Sequence, residues 1–221
     1  MERYEPETRG SPQYIWNIRR SNEEIMTQRV ETGTRLPGLE ALLKSAEGDR
    51  LPPVDKWNPP YCGDIGMRIR ADGTWLYQNS PIGRQALVKL FSRILRKDED
   101  GRTYLVTPVE KVDVAVDDAP FLAVEMQVEN QGRDQTVLFR TNVDDVVRCG
   151  PRHPIRFITQ SGSGGLKPYV LIRGRLEALV TRALYYDLVA LAEPRNPDEE
   201  QLGIWSGGAF FPVETSGITS S

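Results

Sequence analysis

A single histidine and two cysteines are all this 221-residue chain offers of the side chains that most often ligate metals or act as nucleophiles. No HExxH pair or His/Cys cluster is present, which excludes the common zinc arrangements, and no GxSxG elbow marks a serine hydrolase. Cys62 and Cys149 form no CxxC pair and are too few for a disulfide scaffold, so both read as reduced thiols. A Cys62–His153 pair is the one version of a Cys-dependent hydrolase that the composition permits; the alternative is a buried structural cysteine. No uncharged run approaches the ~20 apolar residues of a membrane span, and the opening MERYEPETRG has no secretion-type apolar stretch. The expectation is a cytoplasmic, non-enzymatic protein without cofactor, metal or membrane contact.

The glycine-rich run SGSGGLK at 161–167 lacks what a phosphate-binding P-loop requires. Leu166 precedes Lys167 and Pro168 follows it, so no Gly-Lys-Ser/Thr opens a helix. It reads as a hairpin loop, with Lys167 still able to touch an anion. Acid is missing altogether from 146–175, where Arg148, Arg152, Arg156, Lys167, Arg173 and Arg175 stand unopposed, whereas 112–145 carries eight acids and two bases. Two readings follow: the basic block attracts an anionic ligand, or it pairs with the acidic block across a sheet. The net charge of -3 and pI near 5.4 disfavour duplex nucleic acid.

What is present is a strand and helix grammar. Met67 to Leu95 reads as strand, Asp72-Gly73 turn, strand, and then a helix over 81–96, with Ser80 as N-cap and Pro81 as first helical residue. Leu87, Leu90, Phe91, Ile94 and Leu95 repeat at three and four along it, the spacing of a buried stripe. A second helix is expected over 175–192, where Leu176, Leu179, Val180, Ala183, Leu184, Leu188 and Leu191 share a stripe. Preceded by RFITQ and KPYVLIRG, it makes a fainter copy of the first unit. Between the two lie the strands TYLVT, KVDVAV, FLAVEMQV and TVLFRTN, with Leu122, Val124, Met126 and Val128 predicted on one face. Strands LGIW and AFFP close the chain, and LPPVDKWNPPYCGD is expected to strap across the body, anchored by Trp57. The fold class is therefore α+β, with duplicated strand-strand-helix modules and antiparallel sheets. Four parts are expected: a flexible extension over 1–36, a first domain over 37–129, opening with a short helix at 37–46, a second over 130–213, and a disordered tail over 214–221.

Candidate binding residues come from electrostatics. Arg84 stands at the first helix start, and Arg173 and Arg175 at the second, where the helix dipole disfavours a cation unless an anion compensates. That anion is either an internal carboxylate such as Asp64, Glu110, Asp118 or Glu177, or a ligand. In the ligand case Thr107, Lys111, Arg140 and Asn142 are expected to line the same cleft. Trp57, Trp75, Tyr77, Trp205 and Phe210 sit at strand ends as core or strap anchors, with base stacking as the alternative.

The blocks WNPPYCGDIGMRI, DGTWLY, SPIGR, LVKLFSRILR, YLVTPVEK, DAPF, FRTNVDD, HPIRF, PYVLIRG and GIWSGGAFFP, in that order over about 39–213, resemble a bacterial family of unknown function. It is domain-of-unknown-function family 1285, sometimes labelled proteophosphoglycan precursor. The resemblance implies two duplicated α+β domains, the second loosely pleckstrin-homology-like. It also implies a site at the domain interface for a nucleotide-like or other anionic small molecule, and a part in signal transduction with a protein partner. It implies no catalytic residue. The alternative function is a protein-interaction scaffold without a small ligand.

Overall fold

The computed structural model describes residues 51–160, 165–196 and 198–213. The expected extension over 1–36, helix at 37–46 and tail over 214–221 lie outside them, as does most of the 161–167 loop.

Alternating apolar residues and left-handed turn positions build the same sheet twice. Strands β1 (Tyr61–Ile69), β2 (Trp75–Tyr77) and β3 (Ser80–Pro81) form one antiparallel meander, and helix α1 (Gln85–Arg93) follows it. Strands β4 (Leu95–Lys97), β5 (Thr103–Val106) and β6 (Lys111–Val116) form a second meander, whose last strand lies parallel to β1. The sheet order is β3-β2-β1-β6-β5-β4. The next six strands are β7 (Phe121–Glu129), β8 (Thr136–Thr141), β9 (Val146–Arg148), β10 (Ile155–Thr159), β11 (Leu166–Arg173) and β12 (Leu176–Val180). They repeat the plan in the order β9-β8-β7-β12-β11-β10, with β12 parallel to β7.

The duplication is therefore real, but its repeat unit is a six-stranded sheet rather than strand-strand-helix. Helix α1 sits between the third and fourth strands of the first copy. Helix α2 (Arg182–Val189) follows the sixth strand of the second. The division between copies falls between Val116 and Phe121, not at 129/130, which lies in the β7–β8 hairpin.

Both helices are shorter than their periodicity predicts. In place of a cap at Ser80, Gln78 and Asn79 adopt positive φ (48° and 64°), and Ser80 and Pro81 pair back onto Tyr77 and Leu76. Two left-handed residues between paired strands make the hairpin turn whose twist matches a sheet, so the helix starts four residues later, after Arg84. Over 175–192, Leu176, Ala178 and Val180 are buried at period two and form β12; Thr181 is the N-cap of α2. Leucines at 176, 179 and 184 fit either period, and only pairing with β7 decides between them. A third correction concerns β7. The register slips between Ala123 and Glu125, so Phe121 and Ala123, not Leu122 and Val124, face the core, in phase with Met126 and Val128. Such a bulge inserts one residue and inverts the alternation on one side of it.

One continuous apolar core joins the copies, from Ile69, Trp75 and Phe91 in the first to Phe121, Phe139 and Val170 in the second. Trp75 stacks on Phe91 at 6.3 Å. The closing strands β13 (Glu193–Pro194), β14 (Leu202–Ser206) and β15 (Ala209–Pro212) form a small third sheet. Ser206 pins it to the second copy: its buried hydroxyl donates to the Cys149 carbonyl at 2.8 Å and accepts the Val137 N–H at 2.9 Å. Among the described residues no helix is long and apolar enough to cross a membrane.

Candidate anion site at the seam between the repeats

The Asp72-Gly73 turn brings the two copies together. Gly73 has φ +81°, and a Cβ there would meet Leu122 Cδ1 and Asn142 Nδ2, each at 2.9 Å. Asn142 in turn accepts the Leu122 N–H at 3.0 Å through its side chain and receives Gln85 Nε2 at 3.0 Å on its backbone carbonyl. Lys89 of α1 pairs with Asp144. Further along the seam, Arg173 donates to the Ser92 carbonyl at 2.6 Å, pairs with Asp145 and stacks over Phe121 at 4.9 Å. Arg175 reaches Glu99 at 2.8 Å.

At this end of the seam lies a cleft of about 220 Å³. The end of α1 and β4 supply Arg93, Arg96 and Lys97 to its lining, the β11–β12 turn supplies Arg173 and Arg175, and the covering segment supplies Leu51, Pro52, Val54 and Asp55. Arg96 is the tie between cover and sheet. It donates to the carbonyls of Val54 (2.8 Å) and Trp57 (2.7 Å) and grips Asp98 at 2.5 and 3.1 Å. Trp57 packs partly buried on the core, so the strap expected over this proline-rich segment is present. Burial pulls the Asp98 carboxyl upward, but hydrogen bonds from Arg96 and Lys111 outweigh it and hold the group below the ordinary carboxylate value. It therefore stays ionised beside the cations.

The cleft brings together only two of the seven candidates, Arg173 and Arg175, and for a different reason than the helix dipole. No helix starts at 175; the two flank Gly174, whose positive φ (51°) turns the hairpin. Arg84 is an exposed N-cap of α1 without a side-chain cap bond, and it forms no ion pair among the described residues. Thr107 is buried and organises its own turn, accepting the N–H groups of Val109 (3.2 Å) and Glu110 (3.1 Å). Lys111 bonds Asp98 at 3.1 Å and lies 4.4 Å over the Tyr104 ring. Arg140 is held by Glu125 and Asp144, which push its guanidinium further toward the charged form. Asn142 is a seam brace. Three of the six cations of the basic block 146–175 pair with the acidic one, Arg148 with Glu129, Lys167 with Asp118 and Arg173 with Asp145; Arg156 turns instead to Glu177.

Arg96 and Lys97 are site residues that helix periodicity conceals, because they read as cations suited to a helix C-terminus. The only hint is their place in RKDED, directly after the apolar stripe ends. Cys62 and His153 are engaged separately: Cys62 is exposed on β1 and donates to the Pro60 carbonyl, while His153 Nδ1 donates to the Leu171 carbonyl at 3.0 Å. Burial pushes the Cys149 thiol up to about 11. No group of three or more His, Cys, Asp or Glu is placed to hold a metal among the described residues.

Sequence models of the N- and C-terminal domains of a protein family of unknown function, DUF1285, match residues 52–119 and 120–213, meeting where the two six-stranded sheets divide. The crystal structure of a DUF1285 family protein from Silicibacter pomeroyi shares 49% identity over 79% of this chain and 95% of its own, with a TM-score of 0.71. This chain belongs to the DUF1285 family. A second DUF1285 protein, from Shewanella baltica, is 27% identical over 57% of this chain and 91% of its own, with a TM-score of 0.45. No curated protein matches this chain.

Proposed function

We propose that this DUF1285 protein binds a small anionic ligand in the seam cleft, with Lys97 and Arg175 as its direct partners. One observation carries the reading: Lys97 and Arg175 reach the same cleft from different repeats, with Arg96 and Arg173 fixed behind them. Lys97 forms no ion pair among the described residues, and Arg175 spends one nitrogen on the exposed Glu99. Leaving Arg93 aside, Arg96, Lys97, Lys111, Arg173 and Arg175 meet Asp55, Asp98, Asp145 and Glu99, five cations to four carboxylates among the described residues. That surplus favours an anion at low dielectric and is screened by salt. Because the lining belongs to both repeats, a bound anion would tighten the seam, which is how occupancy would be passed to a signalling partner.

Calorimetric titration of the full chain with small anions tests this. Binding in the millimolar range or tighter, weakened at least tenfold by Lys97→Ala with Arg175→Ala, is the expected result. The double variant should leave stability nearly unchanged, because exposed ion pairs contribute only about 0–1 kcal/mol. Absence of any anion binding, or binding indifferent to both substitutions, refutes the proposal.

A further inference from the structure

The walls of the seam cleft also say what kind of anion fits. Its apolar surface is aliphatic: Leu51, Pro52 and Val54 in the cover, Leu95 and Leu176 in the floor. Among the described residues no aromatic side chain lines it. The Phe121 ring beside Arg173 is fully buried and already covered by that guanidinium. A nucleobase gains most from an aromatic ring to stack on, and the described lining offers neither that platform nor the room. At about 220 Å³ it is smaller than the roughly 300–1,000 Å³ of pockets that enclose drug-sized ligands. A mononucleotide could place its phosphate between Lys97 and Arg175, but its base would stand in water and add no contact.

We infer that the ligand is a compact aliphatic dianion, a phosphomonoester or dicarboxylate with a chain of about three carbons, and not a nucleotide. The inference rests on the anion-site reading above. Two cations brought to one cleft from different repeats suit two negative charges on one small body, and a guanidinium and an ammonium donate to phosphate and carboxylate oxygens alike. The aliphatic walls then select the chain. Each buried methylene is worth about fourfold in affinity, so a propyl chain partly covered by Leu51 and Val54 adds roughly tenfold over the bare anion.

The test uses the full chain and four probes in one buffer: inorganic phosphate, propyl phosphate, glutarate and AMP. Propyl phosphate or glutarate should bind about tenfold more tightly than inorganic phosphate, and which of the two leads identifies the headgroup. AMP should bind no more tightly than inorganic phosphate. Leu51, 45% exposed on the rim, can be changed without disturbing the core; Leu51→Ser should abolish the preference for propyl phosphate while leaving inorganic phosphate unaffected. AMP binding most tightly overturns the inferred class and leaves the anion site standing. Equal affinity for phosphate and propyl phosphate, or a preference that survives Leu51→Ser, also overturns it. If no probe binds, both readings fall together.

Discussion

Two turns of the first repeat provide a matched experiment on what holds the copies together. In Arg70–Thr74 and in Asp98–Arg102 the first residue's N–H donates to the carbonyl four positions on, at 2.9 and 3.0 Å. In each an aspartate, Asp72 or Asp100, accepts the N–H two residues later at 2.9 Å. Each also has a glycine in the left-handed region, Gly73 at φ +81° and Gly101 at +80°. They differ in surroundings. A Cβ on Gly101 meets nothing within 4 Å, whereas one on Gly73 meets Leu122 and Asn142 of the other copy at 2.9 Å. Alanine at either site costs about 1–2 kcal/mol for the left-handed backbone. At Gly73 the overpacking adds roughly 1–3 kcal/mol, since moving Asn142 also strains its bond to the Leu122 N–H. With an m-value of about 2–3 kcal/mol/M, the urea midpoint should fall by about 0.5 M for Gly101→Ala and about 1–2 M for Gly73→Ala. Equal shifts in the two variants would refute the claim that this turn is a tightly packed joint.

The remaining expectations concern single groups. Ser206→Ala orphans the buried Val137 N–H and should cost about 2–3 kcal/mol, read from urea unfolding; a loss under 0.5 kcal/mol would show that the third sheet is not pinned there. With a thiol reagent at pH 8, exposed Cys62 should react in the native protein and Cys149 only after unfolding, because burial keeps the latter neutral. Two native thiols reacting at similar rates would contradict this. Tyr104 donates to Asp100 at 2.6 Å, and that bond, followed by burial, pushes its hydroxyl from 10.0 up to about 12. The raised value favours the neutral phenol in the native state, so its contribution is intact below pH 10 and lost as pH rises through about 12. Stability profiles between pH 9 and 12 should show a steeper alkaline loss than in Tyr104→Phe, and superimposable profiles would count against it.

Much of the fold was legible in local chemistry. Alternating valines mark β6, the apolar spacing of Leu87 to Leu95 marks α1, and Asp72-Gly73 marks a turn, because each is a short-range preference that the surroundings reinforce. The family was legible as well, since ordered blocks along most of the described chain carry it. Three features were hidden for a common reason. Ser80-Pro81 serves a helix cap or a strand equally well, LEALV suits either period, and a bulge at Val124 leaves no mark in a run of apolar residues. Each is decided by hydrogen bonds to strands distant in sequence.

The candidate site divides in the same way. Sequence alone determined which charges the chain carries, that the basic and acidic blocks adjoin, and that Arg173 and Arg175 deserve suspicion. Only the tertiary structure decided which charges are consumed. Partners 28 to 81 residues away neutralise Arg173 and brace it, and a neighbour 76 residues away meets Arg175. Lys97, unremarkable at the end of a helix pattern, is brought to the same cleft by β4 pairing on the sheet edge. Coulomb interactions depend on separation in space, and for these charges that separation is fixed by parallel pairings, β1 with β6 and β7 with β12, that no local pattern encodes.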